Sequence, residues 1–256
     1  MNLPYSSGAA FERITGARDA LFAFSCEHAG RALDGLRLSA TEAALAADHW
    51  GWDIGAGDLT RALAQLTGSP AVLSTFSRLV CDPNRGPDEE SFVVDTVAGQ
   101  ALAFNRGLPP EARAERARRT FEPYHAAFDA MLAEQVRTPP TPWLCSVHSF
   151  TPEFDGHARE MELGVLFDAH EDWAEGLAEA LGAQGFRVAR NEPYSGYAGL
   201  IYAASRHGRA HGVPYLEIEV RNDLLRSSEG VEAVAERVAR ALVASREALE
   251  VDRSAG

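Results

Sequence analysis

Residues able to hold a cation or move a proton recur just after apolar runs in this chain. Ser25-Cys26-Glu27-His28-Ala29-Gly30 follows the first run. Thr75-Phe76-Ser77-Arg78, leading to Asp82-Pro83-Asn84-Arg85, follows the second. His148-Ser149-Phe150-Thr151-Pro152 follows the third, and Glu219 and Arg221 close the last. Two histidines, carboxylates and arginines gathered at strand ends suit a hydrolytic metal centre. Imidazole and carboxylate would hold zinc, and guanidinium groups would bind an anionic substrate.

Each residue also has a plainer reading. A strand-end histidine often serves only as a structural hydrogen-bonder. Glu217 and Glu219 alternate onto one face of Leu216-Glu217-Ile218-Glu219-Val220-Arg221, as on a solvent-facing edge strand with Glu219 paired to an arginine. His49, His125, His157, His207 and His211 carry no pattern individually. No HExxH, GxSxG or CxxC sharpens the chemistry. From the residues alone a hydrolase is expected, with a pattern that suits a metal.

The elements that must position these groups follow from periodicity. Apolar runs at 21–25, 71–74, 143–147, 163–167, 186–189 and 215–220 predict buried strands. Helical spacing covers 39–47, 58–66, 111–136 and 230–249, with Pro123 expected to kink or break the third. Strands alternating with helices predict an α/β fold, a mostly parallel sheet with helices on both faces. Ligands in such sheets bind beyond the carboxyl ends of the strands. The segment 82–110, rich in Gly, Pro, Asp and Asn, has only 92–97 as a strand-like piece and is expected to be a functional loop.

Composition narrows the classes. At 256 residues, 46% hydrophobic and 24% charged, the chain is expected to form one globular domain over 1–256. A net charge of −13 opposes binding to nucleic acid or anionic lipid, and no apolar run is long enough for a membrane span. The cluster Arg113, Arg116, Arg118 and Arg119, interleaved with Glu111, Glu115 and Glu122, reads as a solvated helix face. Every basic residue is arginine, which excludes a Walker-type phosphate loop and lysine Schiff-base chemistry. Cys26, Cys81 and Cys145 are odd in number and suggest no disulfide framework. The start, MNLPYSSGAAFERITG, lacks a cationic and apolar leader pattern, so a cytoplasmic location is expected. No helix shows a surplus apolar face that would mark a subunit interface.

The same strings carry a family likeness. They are Cys26-Glu27-His28-Ala29, His49 through Ala56 with Trp52-Asp53-Ile54-Gly55, Ser77-Arg78-Leu79-Val80 with Asp82 to Arg85, and Pro123-Tyr124-His125. To these add Val147 through Pro152, Asn191-Glu192-Pro193-Tyr194-Ser195 and Glu219-Val220-Arg221-Asn222-Asp223-Leu224. In order from about residue 20 to 245, they resemble the N-formylglutamate amidohydrolase family.

The resemblance implies a zinc-carboxypeptidase-like (phosphorylase/hydrolase-like) fold, similar to that of the aspartoacylases, on a mixed, eight-stranded-type sheet. It implies hydrolysis of the amide bond of an N-acyl amino acid such as N-formylglutamate, to formate and glutamate, by water activated at a metal. His28 and His148 match the family's two zinc-binding histidines. Carboxypeptidase-like enzymes take a glutamate three residues after the first, where this chain has Arg31, so Asp53 is the chosen third ligand and Glu27 the reserve. Zinc is the default metal, with iron, cobalt and manganese suited to the same ligands. Glu219 matches the general base and acid. Arg78 resembles the oxyanion-stabilising arginine; the alternative for Arg78 or Arg85 is a structural partnership with Asp82. Asn84 and Arg85 resemble the pair that holds a substrate carboxylate, and Tyr194 and Arg221 are further candidates for substrate contact. Ser149 is expected to support His148 rather than to act as a nucleophile. Gly30-Arg31 and Arg159-Glu160-Met161 depart from the family's Ser-Asn and Arg-Pro-Trp, at positions expected to border the pocket.

Two other classes stay open. A metal-independent hydrolase would use Cys26 with His28, Cys145 with His148, or a serine. A non-catalytic protein would bind a carboxylate ligand in the same pocket without turnover.

Overall fold

Eleven strands and seven α-helices are present among the described residues of the protein. The structure, a computed structural model, describes residues 9–33 and 35–255, with side chains through 251. Residues 1–8, where the leader reading begins, lie outside the described residues. The chain runs β1 (Phe11–Ile14), β2 (Phe22–Cys26), α1 (Ala40–Ala47), α2 (Ala56–Thr67) and β3 (Ala71–Ser74). Next come β4 (Thr96–Val97), β5 (Gln100–Ala101), α3 (Pro110–Arg116), α4 (Glu122–Gln135) and β6 (Trp143–Phe150). After β7 (Glu153–Phe154), β8 (His157–Ala158) and β9 (Leu163–Leu166) come α5 (Glu171–Ala183) and β10 (Val188–Arg190). The last elements are α6 (Tyr202–His211), β11 (Tyr215–Arg221) and α7 (Ser228–Ala255).

Seven strands make one mixed sheet in the order β1-β3-β2-β6-β11-β9-β10, one fewer than the family likeness implies. β3, β2, β6 and β11 are parallel neighbours, β1 joins β3 antiparallel, and β9 joins β11 antiparallel with β10 parallel beside it. Strand alternation then sorts the side chains. Phe22, Phe24, Cys145, Val147, Ile218 and Val220 face α2, α5 and α7 on one side. Ala23, Val72, Leu144, Leu166 and Tyr215 face α4 and α6 on the other. Both faces are covered, as a parallel sheet requires.

Several expectations are corrected. β11 is a central strand paired on both sides, so Glu217 and Glu219 are buried, against the edge-strand reading. The piece at 92–97 is strand only at its end, where β4 and β5 form a small hairpin. Pro123 opens α4, and the break expected there is a π-helical turn just upstream, at Ala117–Phe121. Proline cannot donate to a carbonyl one turn back, and the wider turn accommodates that gap. Arg116 is buried rather than solvated: it donates to the carbonyls of Val80 and Phe104 and to Asn105 Oδ1. Asn105 in turn donates to Leu79 and Val94, so the 82–110 segment is braced from within. Arg118 does pair with Glu115 on the outer face. No described helix is long and apolar enough to cross a membrane.

Leu177 on α5 is fully buried in the layer shared with α7. Leu177→Ala should lower unfolding free energy by about 2–5 kcal/mol, read as a lower denaturant midpoint at unchanged slope.

Candidate active site

Three parallel strands deliver the site. Register pairs Glu219 of β11 with His148 of β6, and alternation keeps Ser146, His148, Glu217 and Glu219 on the α4/α6 side of the sheet. Glu27 and His28 follow directly on β2, and the chain beyond them hugs β3. A Cβ on Gly30 would sit 2.0 Å from the Thr75 carbonyl carbon, so only glycine allows that approach. Asp53 comes from the turn ahead of α2, and its N–H donates to the His28 carbonyl. Gly55, at φ 81°, is the N-cap of that helix and no side chain caps it, so the Asp53 carboxylate is not used up as a helix cap.

His28, Asp53 and His148 converge. Asp53 Oδ2 lies 2.8 Å from His148 Nδ1 and 3.4 Å from His28 Nδ1, and the Ser149 N–H donates to it at 3.2 Å. The far nitrogen of each ring has its own acid. His28 Nε2 is 2.7 Å from Asp82 Oδ1, and His148 Nε2 is 2.8 Å from Glu27 Oε2. Carboxylates only accept, so both Nε2 atoms donate outward; His28 Nδ1 then keeps an inward lone pair, while His148 Nδ1, facing Asp53, carries a proton that a cation would replace. His28 Nδ1 is buried without a hydrogen-bond partner, and Glu219 Oε2 is likewise orphaned. Two inward-facing imidazole nitrogens and a carboxylate within one ligand-sized space fit a divalent cation, with Asp82 and Glu27 orienting the rings as outer acids do at metal centres. Glu27 itself is engaged by Ser146, Tyr124 and His148, which argues against it as the third ligand of this set.

The charges agree with that geometry. Burial alone would raise the acids, yet His28 and His148 hold the Asp53 carboxyl far below the usual range. Against the same burial, Arg78 and His28 do so for Asp82. Glu27 falls to about 2, because hydrogen bonds from His148, Ser146 and Tyr124 outweigh its desolvation. Burial would lower His148, but Glu217, Asp53 and Glu27 drive it well above an ordinary histidine. Glu217 is pushed up to about 7 by burial and by Glu27. Glu219 is raised well above the usual value by burial, with Asp53 and Glu217 adding to it.

A cleft of about 420 Å³ opens over this cluster. Its lining includes His28, Asp53, Arg78, Arg85, His148 and Glu219. Arg78 commits Nε and Nη2 to Asp82, at 3.1 and 2.6 Å, and its Nη1 lies 3.8 Å from Asp53 Oδ1. It therefore fills the structural role while still facing the cleft. Asn84 lines the cleft too, but its amide donates to the Leu200 carbonyl and to Glu217 and accepts from the Ala203 N–H. Arg85 contacts the carbonyls of Asn84 and Leu200 and forms no ion pair among the described residues. Tyr194 rides on a loop fixed by Asn191, whose Oδ1 accepts from the N–H groups of Phe167 and Gly196.

Arg221 is not brought to the cleft. Its guanidinium pairs with Asp223 and donates to the carbonyls of Arg159 and Met161. Arg31 lies over the Trp52 ring, and neither it nor 159–161 lines the cleft, although Arg159 stacks against Phe154 and Tyr194, which do. Ser149 Oγ donates to the Ile54 carbonyl and so holds the Asp53 turn. The thiol alternative loses its footing. Cys26 and Cys145 face the apolar layer on the opposite side of the sheet, and burial pushes both thiols up. Asp82 and Glu217 enter the site without having been foreseen as functional. Glu217 shares its strand face with Glu219, and Asp82 begins the Asp-Pro-Asn-Arg string.

The family model described as N-formylglutamate amidohydrolase matches residues 21–226, most of the chain. The chain belongs to the N-formylglutamate amidohydrolase family. Its fold is similar to that of gene product Atu2144 from Agrobacterium tumefaciens, at 27% identity and a TM-score of 0.89 over 95% of this chain and 97% of that one. It is also similar to N-formylglutamate amidohydrolase from Ralstonia eutropha JMP134, at 18% identity and 0.73, over 93% and 98%. No curated protein matches. Membership in this family supports an amidohydrolase.

Glu27 gives a pH test of the buried network. Its pKa is about 2 in the fold against 4.5 when free, so its contribution is complete above pH 4.5 and is lost as pH falls towards 2. Glu27→Gln should flatten the acid limb of stability in that window, measured by denaturant unfolding of metal-free protein at stepped pH.

Proposed function

We propose that the protein is a metal-dependent amidohydrolase that cleaves an N-acyl amino acid of the N-formylglutamate type, releasing formate and glutamate. The observation that carries this reading is the orphaned His28 Nδ1, converging with Asp53 and His148 Nδ1 beside the unpartnered Glu219 Oε2 at the floor of the cleft. His28, Asp53 and His148 would hold the ion, zinc by their chemistry, with iron, cobalt or manganese able to take the same donors. A divalent cation there would acidify water, polarise an amide carbonyl and favour ionised Glu219.

Glu219 takes a proton from the attacking water at Oε2 and returns it to the leaving nitrogen, so that the carbon–nitrogen bond breaks to free amine and carboxylate. Arg78 Nη1 donates to the oxygen of the tetrahedral intermediate, while Asp82 fixes the guanidinium from behind. Arg85 binds a substrate carboxylate; a planar guanidinium suits that group bidentately. Asn84 acts by holding the Leu200–Ala203 wall in place rather than by touching substrate. Tyr194, raised by burial and by the nearby Glu219, closes the open side with its ring. A cytoplasmic setting suits the three free cysteines.

Formate release from N-formylglutamate is the assay. Glu219→Gln should lower kcat about 100- to 10,000-fold while zinc stays bound. Arg85→Ala should raise KM about 10- to 100-fold with a smaller effect on kcat. Tight substrate binding by zinc-loaded wild type with no turnover would replace this reading with the non-catalytic one.

A further inference from the structure

Away from the cleft, α4 and α6 assemble a second group of imidazoles around a carboxylate. Asp129 Oδ1 lies 2.8 Å from His207 Nδ1 and 3.0 Å from His211 Nε2, and the three atoms share one ligand-sized space. His207 and His211 are four residues apart on α6, so both rings leave the same helical face, opposite Asp129 on α4.

Hydrogen bonding decides which nitrogens carry protons. The Pro83 carbonyl can only accept, and His125 Nε2 lies 3.0 Å from it, so that nitrogen donates. His125 Nδ1 is then an acceptor, and His207 Nε2, 2.7 Å away, donates to it. A neutral His207 is left with its Nδ1 lone pair aimed at the Asp129 carboxylate, which also only accepts. Two acceptors at 2.8 Å, on a histidine whose side chain has no exposed surface, require a cation between them. His211 approaches the same oxygen from a more open position, its side chain 16% exposed and that of Asp129 44%.

We propose that Asp129, His207 and His211 form a second binding site for a divalent transition metal of the zinc class. Two imidazoles and a carboxylate suit zinc, cobalt or nickel, and are too few and too nitrogen-rich for calcium or magnesium. Tetrahedral zinc places its ligand atoms ~3.3 Å apart. Asp129, on the solvent side, has only to withdraw by a few tenths of an ångström. Solvent supplies the fourth ligand through the same opening. His125 serves as the outer partner that fixes the His207 tautomer, as at known zinc centres. The site rests on these side chains alone and is independent of the reading of the cleft.

The test is a zinc titration of chelator-stripped protein against a chromophoric competitor, with stoichiometry checked by elemental analysis. Wild type should bind two equivalents, and His211→Ala should bind one with formate release unchanged. Asp129→Asn, which keeps the side-chain shape, should weaken the same equivalent by at least the roughly 10–100-fold seen when only an outer partner is lost. One equivalent in wild type and none in His211→Ala would keep this site and sink the cleft reading instead. Equal zinc in wild type and His211→Ala would overturn the proposal, and a proton on His207 would then be the cation.

Discussion

Buried acidic side chains are the constraint around which the molecule is arranged. The carboxylates of Glu27, Asp53, Asp82, Glu217 and Glu219 are all buried, and they face two imidazoles and the Arg78 guanidinium. Removing that many acids from water costs several kcal/mol each unless opposite charge and hydrogen bonds replace the lost solvent. Here Tyr124, Ser146, Ser149 and Asn84 supply hydrogen bonds, yet His28 Nδ1 and Glu219 Oε2 stay without partners. The proposed divalent cation at their centre would offset that imbalance and supply the missing partners.

The fold makes the arrangement possible by separating polar from apolar along the same strands. On β6, Cys145 and Val147 enter the layer beneath α2, α5 and α7, while Ser146 and His148 face the other way. β11 does the same with Ile218 and Val220 against Glu217 and Glu219. Parallel alignment brings the ends of these strands level, and loops then complete the site. Asp53 arrives from the turn before α2, and Asp82 from the segment that Arg116 and Asn105 brace. Stability and chemistry therefore occupy opposite faces of the same strands at their carboxyl ends.

Much of this was legible in the residues. Apolar runs located the six principal strands within a few residues, and the polar strings after them held His28, His148, Arg78 and Glu219. What failed, failed for lack of tertiary context. Period-two alternation looks the same on an edge strand and on a central strand whose polar face lines a cleft, so Glu217 looked exposed. Arg116 sits in a charged helix pattern that gives no sign of the carbonyl-lined pocket it fills. Arg221 stands in a family-like string, but its side chain turns to Asp223 and away from the cleft. His207 and His211, one turn apart, carried a signal that depended on Asp129 arriving from another helix.

The central claim is that a metal sits among His28, Asp53 and His148. Anomalous diffraction at the zinc edge, from crystals of protein loaded with zinc, tests it most directly. The account predicts a peak about 2.0–2.2 Å from His28 Nδ1, His148 Nδ1 and an Asp53 oxygen. Zinc-loaded crystals with no peak there, or with the peak between Glu27 and Glu217 instead, would contradict it.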